Sequence, residues 1–537
     1  MMSLSTIFRK QKWMNPQSRI IALLVSGILL LSAFMVSVPA LVLAQIATLQ
    51  PLPTVPAGMA TLTPTNPILI PVFRTLPPLP VVPSTVPLLT VTTAVSAATL
   101  QPLPTVPSMM ATLTPTNPPI VIPRFRTLPP LPVSPSPSPT FAPGMPTNTP
   151  APTLPPTQVP ALSFPALTGA YAVGMTRRAY TDPVRFEDFS PDPLDFRRVP
   201  VTFFYPAVPA PDAQRGDYGN ERELSLFQQY YGIRTTYSLV LRPNFYVDAP
   251  ASAGAFPVLL FMPGLGSPTL LYRSILEQIA SHGYIIAVID PVYSSSFSVF
   301  PDGTFAVANR ANLDNPTDET VDLVFQSWMA DANLVLTLLS DVNANDPLLG
   351  GRLNLEKLGA FGHSFGGAVA IQLAHDNNRV LSALNMDGKL QGSIVAEGIA
   401  KPVMLILSEQ SQTGALAELS DENLAFSGLT RDQLSELLAT LLAEWQALLT
   451  SAPRAYQIVP AGSINPSYLT DLGILRTLLP QAITDDVLGA IDGTRTIDIV
   501  TDYTTAFFDS TLQGIPSPLL EAASADYPDV DFTRFSR

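Results

Sequence analysis

From about residue 198 onward, short and nearly unbroken apolar runs alternate with longer stretches in which apolar residues return every three or four positions. RVPVTFFYP (198–206), PVLLFMPG (257–264), YIIAVID (284–290), KLGAFGHS (357–364), LSALNMD (381–387), PVMLILSE (402–409) and AYQIVPAGS (455–463) read as strands. The continuously apolar runs leave no polar side for water, which predicts strands in the middle of a sheet covered on both faces. Helices are expected over 270–282, over 320–341 and from Phe365 onward. Two more follow, in a Leu-, Ala- and Glu-rich insertion at about 430–450 and over 496–513. Strand–helix alternation of this kind predicts the α/β class: a mostly parallel central sheet with helices on both faces. In that architecture chemistry gathers at the carboxyl ends of the strands.

The amino-terminal part has a different pattern. Arg9, Lys10, Lys12 and Arg19 precede an uncharged apolar stretch, residues 20–44, that ends in Val42-Leu43-Ala44. As a helix it would be ~37 Å long, enough to cross a bilayer, and its positive flank and small terminal residues suit export. Residues 1–44 are expected to be a signal peptide or a signal anchor. The rest of the chain would then be extracellular, either secreted or held at the outer face of the cell membrane by residues 20–44. Membrane contact would run through that helix if it is not cleaved.

Residues 45–165 carry no acidic group, and ATLQPLPTVPAGMATLTPTNP from Ala47 returns as ATLQPLPTVPSMMATLTPTNP from Ala98, a period of 51 residues. Of the 58 prolines, 32 fall between Ile46 and Pro165. Proline at this density removes backbone donors and excludes helix and central strand, so a disordered, polyproline-like spacer is expected. Residues 166–537 remain as the folded domain, with a helical insertion near 412–450.

Composition removes several chemistries. There is no cysteine among the 537 residues, so disulfides, thiolate metal sites and cysteine nucleophiles are absent from this chain. Three histidines are too few for a histidine-rich metal site. A net charge of -13 argues against nucleic acid, because phosphate recognition needs clustered Lys and Arg.

What the sequence does offer is Gly362-His363-Ser364-Phe365-Gly366, a G-x-S-x-G pattern between a predicted strand and a predicted helix. A sharp strand-to-helix turn needs small flanking residues, and it raises the serine over the helix amino end, where backbone N–H groups can hold an oxyanion.

Around this motif the region 170–515 resembles the platelet-activating factor acetylhydrolase-like family of α/β-hydrolases, related to dienelactone-hydrolase-like and polyesterase groups. YAVGMTRRAYTDPVR, VPVTFFYPA, LLFMPGLGSP, IASHGYIIAVIDPVYSSS, LGAFGHSFGG, RVLSALNMDG and AYQIVPAGSINPSYLTD carry the resemblance, in that order. It implies the α/β-hydrolase fold, serine acyl transfer on a small-molecule or lipid ester, and no cofactor. Ser364 would be the nucleophile and Asp387 the acid of the triad, with Glu409 in reserve as the acid. Leu265 and Phe365 would supply the oxyanion N–H groups.

The sequence departs from the family at the base. Asn465, in GSINPSYLTD, stands where the histidine is expected, and Pro263 and Pro291 replace two further family histidines. None of the three histidines present is placed to substitute. His363 precedes the serine on one strand and points the other way. His375 lies ~16 Å down the following helix, and His282 at the far edge of the sheet ~20 Å away. Two readings stay open: an ester hydrolase impaired at the base, and an inactive scaffold acting as a surface binding or structural module.

Overall fold

The computed structural model describes residues 162–233, 241–309, 317–412 and 430–536. The apolar stretch 20–44, nearly all of the proline-rich region and residues 413–429 of the insertion lie outside the described residues.

Ten strands form one sheet: β1 (Ala172–Phe186), β2 (Phe196–Ala207), β3 (Tyr246–Val247), β4 (Phe256–Met262), β5 (Ile285–Ile289), β6 (Leu353–His363), β7 (Val380–Met386), β8 (Val403–Ile406), β9 (Arg454–Pro460) and β10 (Val530–Ser536). Their spatial order is β10-β9-β8-β7-β6-β4-β5-β2-β1-β3. The middle of the sheet, from β9 to β5, is parallel. The antiparallel pairings are β9/β10 near one edge and β5/β2 and β2/β1 toward the other. The sheet is therefore mixed, with a parallel centre.

Successive residues of the central strands feed opposite layers, as the period of two requires. Val258, Leu260, Met262, Ile285 and Ala287 enter the core beneath α3 (Asp318–Asn345), α4 (Phe365–Asp376) and α5 (Arg431–Ser451). Leu259, Phe261, Ile286 and Val288 face α1 (Glu221–Tyr231), α2 (Arg273–Ser281), α6 (Thr470–Arg476) and α7 (Gly493–Phe508). Both sides of β4 and β5 are buried, which is why these strands read as unbroken apolar runs.

Three boundaries differ from the sequence reading. Composition assigns Leu162–Pro165 to the spacer, yet Leu162 and Ser163 pair with Leu241 and Arg242, and Asn244 Nδ2 donates to Pro165 O at 2.8 Å. Helix α3 is longer at both ends than its apolar period indicates: Thr317 caps its start through Thr320 N–H, and at its end Asp346 N–H still donates to Val342 O. The helix expected over 496–513 begins at Gly493 and changes at Asp509 to a wider π-helical turn, Asp509–Gln513.

Candidate active site

Strand β6 ends at His363 and α4 begins at Phe365, so one residue makes the whole turn. That residue, Ser364, has φ 51° and ψ -121°, a left-handed conformation that costs a non-glycine residue ~1–3 kcal/mol. The turn is held by close backbone approach. A Cβ on Gly366 would lie 2.3 Å from the carbonyl oxygens of Met262 and Pro263, so only glycine lets α4 start against the loop after β4. Phe365 anchors the helix start edge-on against Trp328 and Phe325 of α3.

The loop after β4 carries Leu265. Gly264 N–H donates to Tyr272 Oη at 3.0 Å and Gly266 N–H to Ser294 O at 2.8 Å. Between them, the N–H of Leu265 meets no acceptor among the described residues, and neither does that of Phe365 at the first position of α4. Ser364 Oγ is likewise unpartnered and does not cap its helix. Unlike its N–H, the Leu265 side chain belongs to the core, at 4 % exposure.

Asp387 follows β7 directly and also has positive φ, 55°. It is fully buried. Its Oδ1 accepts from Ser408 N–H at 2.9 Å; its Oδ2 accepts from Ser408 Oγ at 2.8 Å, Ser411 Oγ at 3.2 Å and Asn465 Nδ2 at 3.0 Å. Burial pushes the Asp387 carboxyl above its usual range, and the hydrogen bonds from Ser408, Asn465 and Ser411 oppose that shift. The next residue closes onto the serine, since a Cβ on Gly388 would sit 2.0 Å from Ser364 O. Trp445 of α5 donates to Gly388 O at 3.0 Å, so the insertion helix braces the acid's turn.

Asn465 opens a short 3-10 turn, Asn465–Tyr468, after β9. Its amide nitrogen donates to both Oδ2 and the backbone oxygen of Asp387, each at 3.0 Å. Glu409 is engaged elsewhere, accepting from Gly462 N–H at 2.8 Å. The carboxylate that meets Asn465 is therefore Asp387.

His363 lies on the α2/α7 side of the sheet, fully buried. Its Nε2 is 3.1 Å from Asn465 O and its Nδ1 2.8 Å from Tyr272 Oη. A carbonyl can only accept, so Nε2 carries the proton and Nδ1 accepts from the tyrosine. Tyr272 in turn accepts from Gly264 N–H, which completes an oriented chain from the loop after β4 to the Asn465 loop. Burial lowers the His363 pKa to about 4, against a smaller opposing effect of Asn465. His282 sits at the end of α2 against Thr168 Oγ1, and His375 beside Asp376 and Glu397, both away from Ser364.

The structure thus brings Ser364, Phe365, Leu265, Asp387 and Asn465 together at the carboxyl ends of β4, β6, β7 and β9. It leaves Glu409 to one side. Sequence reasoning missed Ser408, Ser411, Tyr272 and Trp445. Only the two serines left a signal, as hydroxyls just beyond the apolar run of β8.

Three comparisons bear on this arrangement. Residues 232–388 match the Chlorophyllase family, a span that includes Ser364 and Asp387 and stops short of Asn465. A probable 1-alkyl-2-acetylglycerophosphocholine esterase of Arthroderma benhamiae is 24% identical over 307 residues, 54% of this chain and 70% of that protein. The platelet-activating factor acetylhydrolase of Cavia porcellus is 28% identical over 190 residues, 31% of this chain and 43% of that protein. Among solved structures, a ferulic acid esterase from Streptomyces cinnamoneus superposes with a TM-score of 0.56 at 23% identity, covering 69% of this chain and 99% of that one. That likeness establishes the α/β-hydrolase fold. With the ordered motifs, the named relatives make this chain similar to the platelet-activating factor acetylhydrolase-like α/β-hydrolases.

Proposed function

We propose that the chain is a carboxylic-ester hydrolase, acting on lipid or short-chain esters, whose turnover is impaired at the general base. In this reading Ser364 Oγ attacks the acyl carbonyl, and the N–H groups of Leu265 and Phe365 hold the oxyanion. Asp387 is the acid, and Asn465 stands in the place of the base.

One observation carries the reading: the amide of Asn465 donates to Asp387, the bond that an imidazole N–H makes to the acid of a serine–histidine–aspartate triad. The amide offers no basic lone pair to take the Ser364 proton at neutral pH. Turnover would rest on the oxyanion donors and substrate binding, which alone retain ~10³–10⁴-fold over water. The names of the relatives, esterase and acetylhydrolase, support the ester substrate class. The apolar stretch 20–44 supports export or anchoring, so the substrate would be met outside the cytoplasm.

A second reading is an inactive scaffold acting as a surface binding or structural module, and the missing base is what favours it. A fluorophosphonate probe separates the two. Stoichiometric labelling at Ser364 supports the hydrolase; an unlabelled, folded protein supports the module.

A further inference from the structure

Three neutral hydrogen-bond donors lie at or next to the start of α4 with no acceptor among the described residues. They are Ser364 Oγ–H, on a residue only 3 % exposed, and the backbone N–H groups of Leu265 and Phe365. They come from two segments held together by the contact of Gly366 with Met262 and Pro263. Helix α4 is twelve residues long, so its amino end adds a fixed positive partial charge.

A histidine at position 465 would change this balance. Oriented by Asp387, its free nitrogen would accept the Ser364 proton, and the serine would no longer be a donor to anything else. Asn465 instead commits Nδ2 to Asp387 and cannot take that proton. The charge of Asp387 is spread over four hydrogen bonds, so it faces those donors rather than the elbow. What is left at the start of α4 is a hydroxyl and two backbone N–H groups that no acceptor among the described residues engages.

We propose that these three donors form a carboxylate-binding site: it retains a monocarboxylic acid, the acyl half of an ester, with the carboxylate held by Ser364 Oγ–H, Leu265 N–H and Phe365 N–H. The proposal rests on the reading of Leu265 and Phe365 as the acyl-oxygen donors. It adds that replacing the base turns the acid from a product that leaves into a ligand that stays.

The test is calorimetric titration of the purified chain with butyrate and octanoate, with butyramide and octanamide as neutral counterparts. Saturable binding of the acids is expected, with the amides at least tenfold weaker. Ser364→Ala removes one donor to a charged group and should weaken the acids roughly tenfold. Asn465→His should weaken them at pH 8 by drawing the Ser364 proton to the imidazole. No binding of either acid, or unchanged affinity in Ser364→Ala, overturns the proposal. Failure here is separable from failure of the hydrolase reading. If the acids do not bind while Asn465→His gains Ser364-dependent esterase activity, only the carboxylate site falls. If the acids bind through Ser364 while the probe and Asn465→His stay silent, the carboxylate site stands and the hydrolase falls.

Discussion

Asn465 Nδ2 lies 3.0 Å from Asp387 Oδ2 and 3.0 Å from Asp387 O, so a neutral amide holds the acid by both its side chain and its backbone. The two positions are 78 residues apart in sequence. An imidazole at position 465 could reach the same carboxylate oxygen with one ring N–H and present its other nitrogen away from it.

Asn465→His is therefore expected to raise hydrolysis of a short-chain aryl ester, up to the ~10²–10⁴-fold typical of general-base help. The gain must vanish in Ser364→Ala and fall sharply in Asp387→Asn. Steady-state rates of the three variants decide it. An equal gain without the serine would mean that the new histidine acts as a free imidazole, and the placement of the triad would be wrong.

Leu265→Pro deletes an N–H that meets no acceptor among the described residues, so any esterase activity should be lost if that group holds the oxyanion. The buried leucine side chain is lost at the same time, which costs on the order of 2–5 kcal/mol by analogy with other large-to-small core changes. Activity should be read well below the variant's lowered melting temperature. Leu265→Ala is the control: it keeps the N–H while losing most of the packing, and so should keep the activity.

Arg197 is 1 % exposed and pairs with Glu187 at 2.6 Å and with Asp331, itself 1 % exposed, at 2.5 Å. Asp331→Ala leaves the buried Arg197 guanidinium, on β2, with one of its two carboxylates, Glu187, and takes a partner from Arg185 as well. Such breakage costs ~3–5 kcal/mol, to be read by denaturant titration. The triple variant Glu187→Leu/Arg197→Met/Asp331→Leu should recover most of the loss, because it removes the buried charges together and leaves Arg185 paired with Asp182. A lone Asp331→Ala that melts like the parent would refute this.

Acid should weaken the fold through His363. Its folded pKa of about 4 lies below the ordinary imidazole value of 6.5. Between these two values the unfolded state binds a proton that the folded state refuses. The contribution is whole above pH 6.5 and is lost as pH falls toward 4, amounting to ~3 kcal/mol. Unfolding free energies at pH 7 and pH 4.5 should differ more in the parent than in His363→Gln, by ~2–3 kcal/mol. Equal losses in the two would show that the ring is not held neutral.

The centre of this fold was legible because β4, β5, β8 and the carboxyl-terminal parts of β6 and β7 are buried on both faces and have no polar period to confuse them. The margins were harder. Strand β1 buries Val173 to Thr176 in a row and then follows no regular burial period, and it carries Arg177, Arg178 and Arg185, so resemblance rather than periodicity pointed to it. Strand β10, VDFTRFS, pairs with β9 at the edge of the sheet and buries only Val530 of its seven residues, and its apolar content is too low to register. At the site, the Ser364 elbow was legible because its steric demand is local: the glycines flank the serine in sequence. The donors to Asp387 and the Tyr272–His363 chain were not, since each bond joins segments that only the folded sheet brings together. His363 shows the difference. Its direction away from Ser364 follows from strand alternation, while its bond to Asn465, 102 residues away, has no trace in either stretch.

That separation has a consequence for how the protein reports on itself. The site draws on the ends of β4, β6, β7 and β9, and β6 must find β4 across the whole of α2, β5 and α3 before the elbow has a floor. Loops of that length close slowly, and no fragment holds the site in miniature. Any molecule that settles at Ser364 therefore recognises the completed sheet and nothing that precedes it. Its binding would slow global opening in proportion to its occupancy, and a shift in melting temperature would serve as an assay for ligands even if no bond is ever broken there.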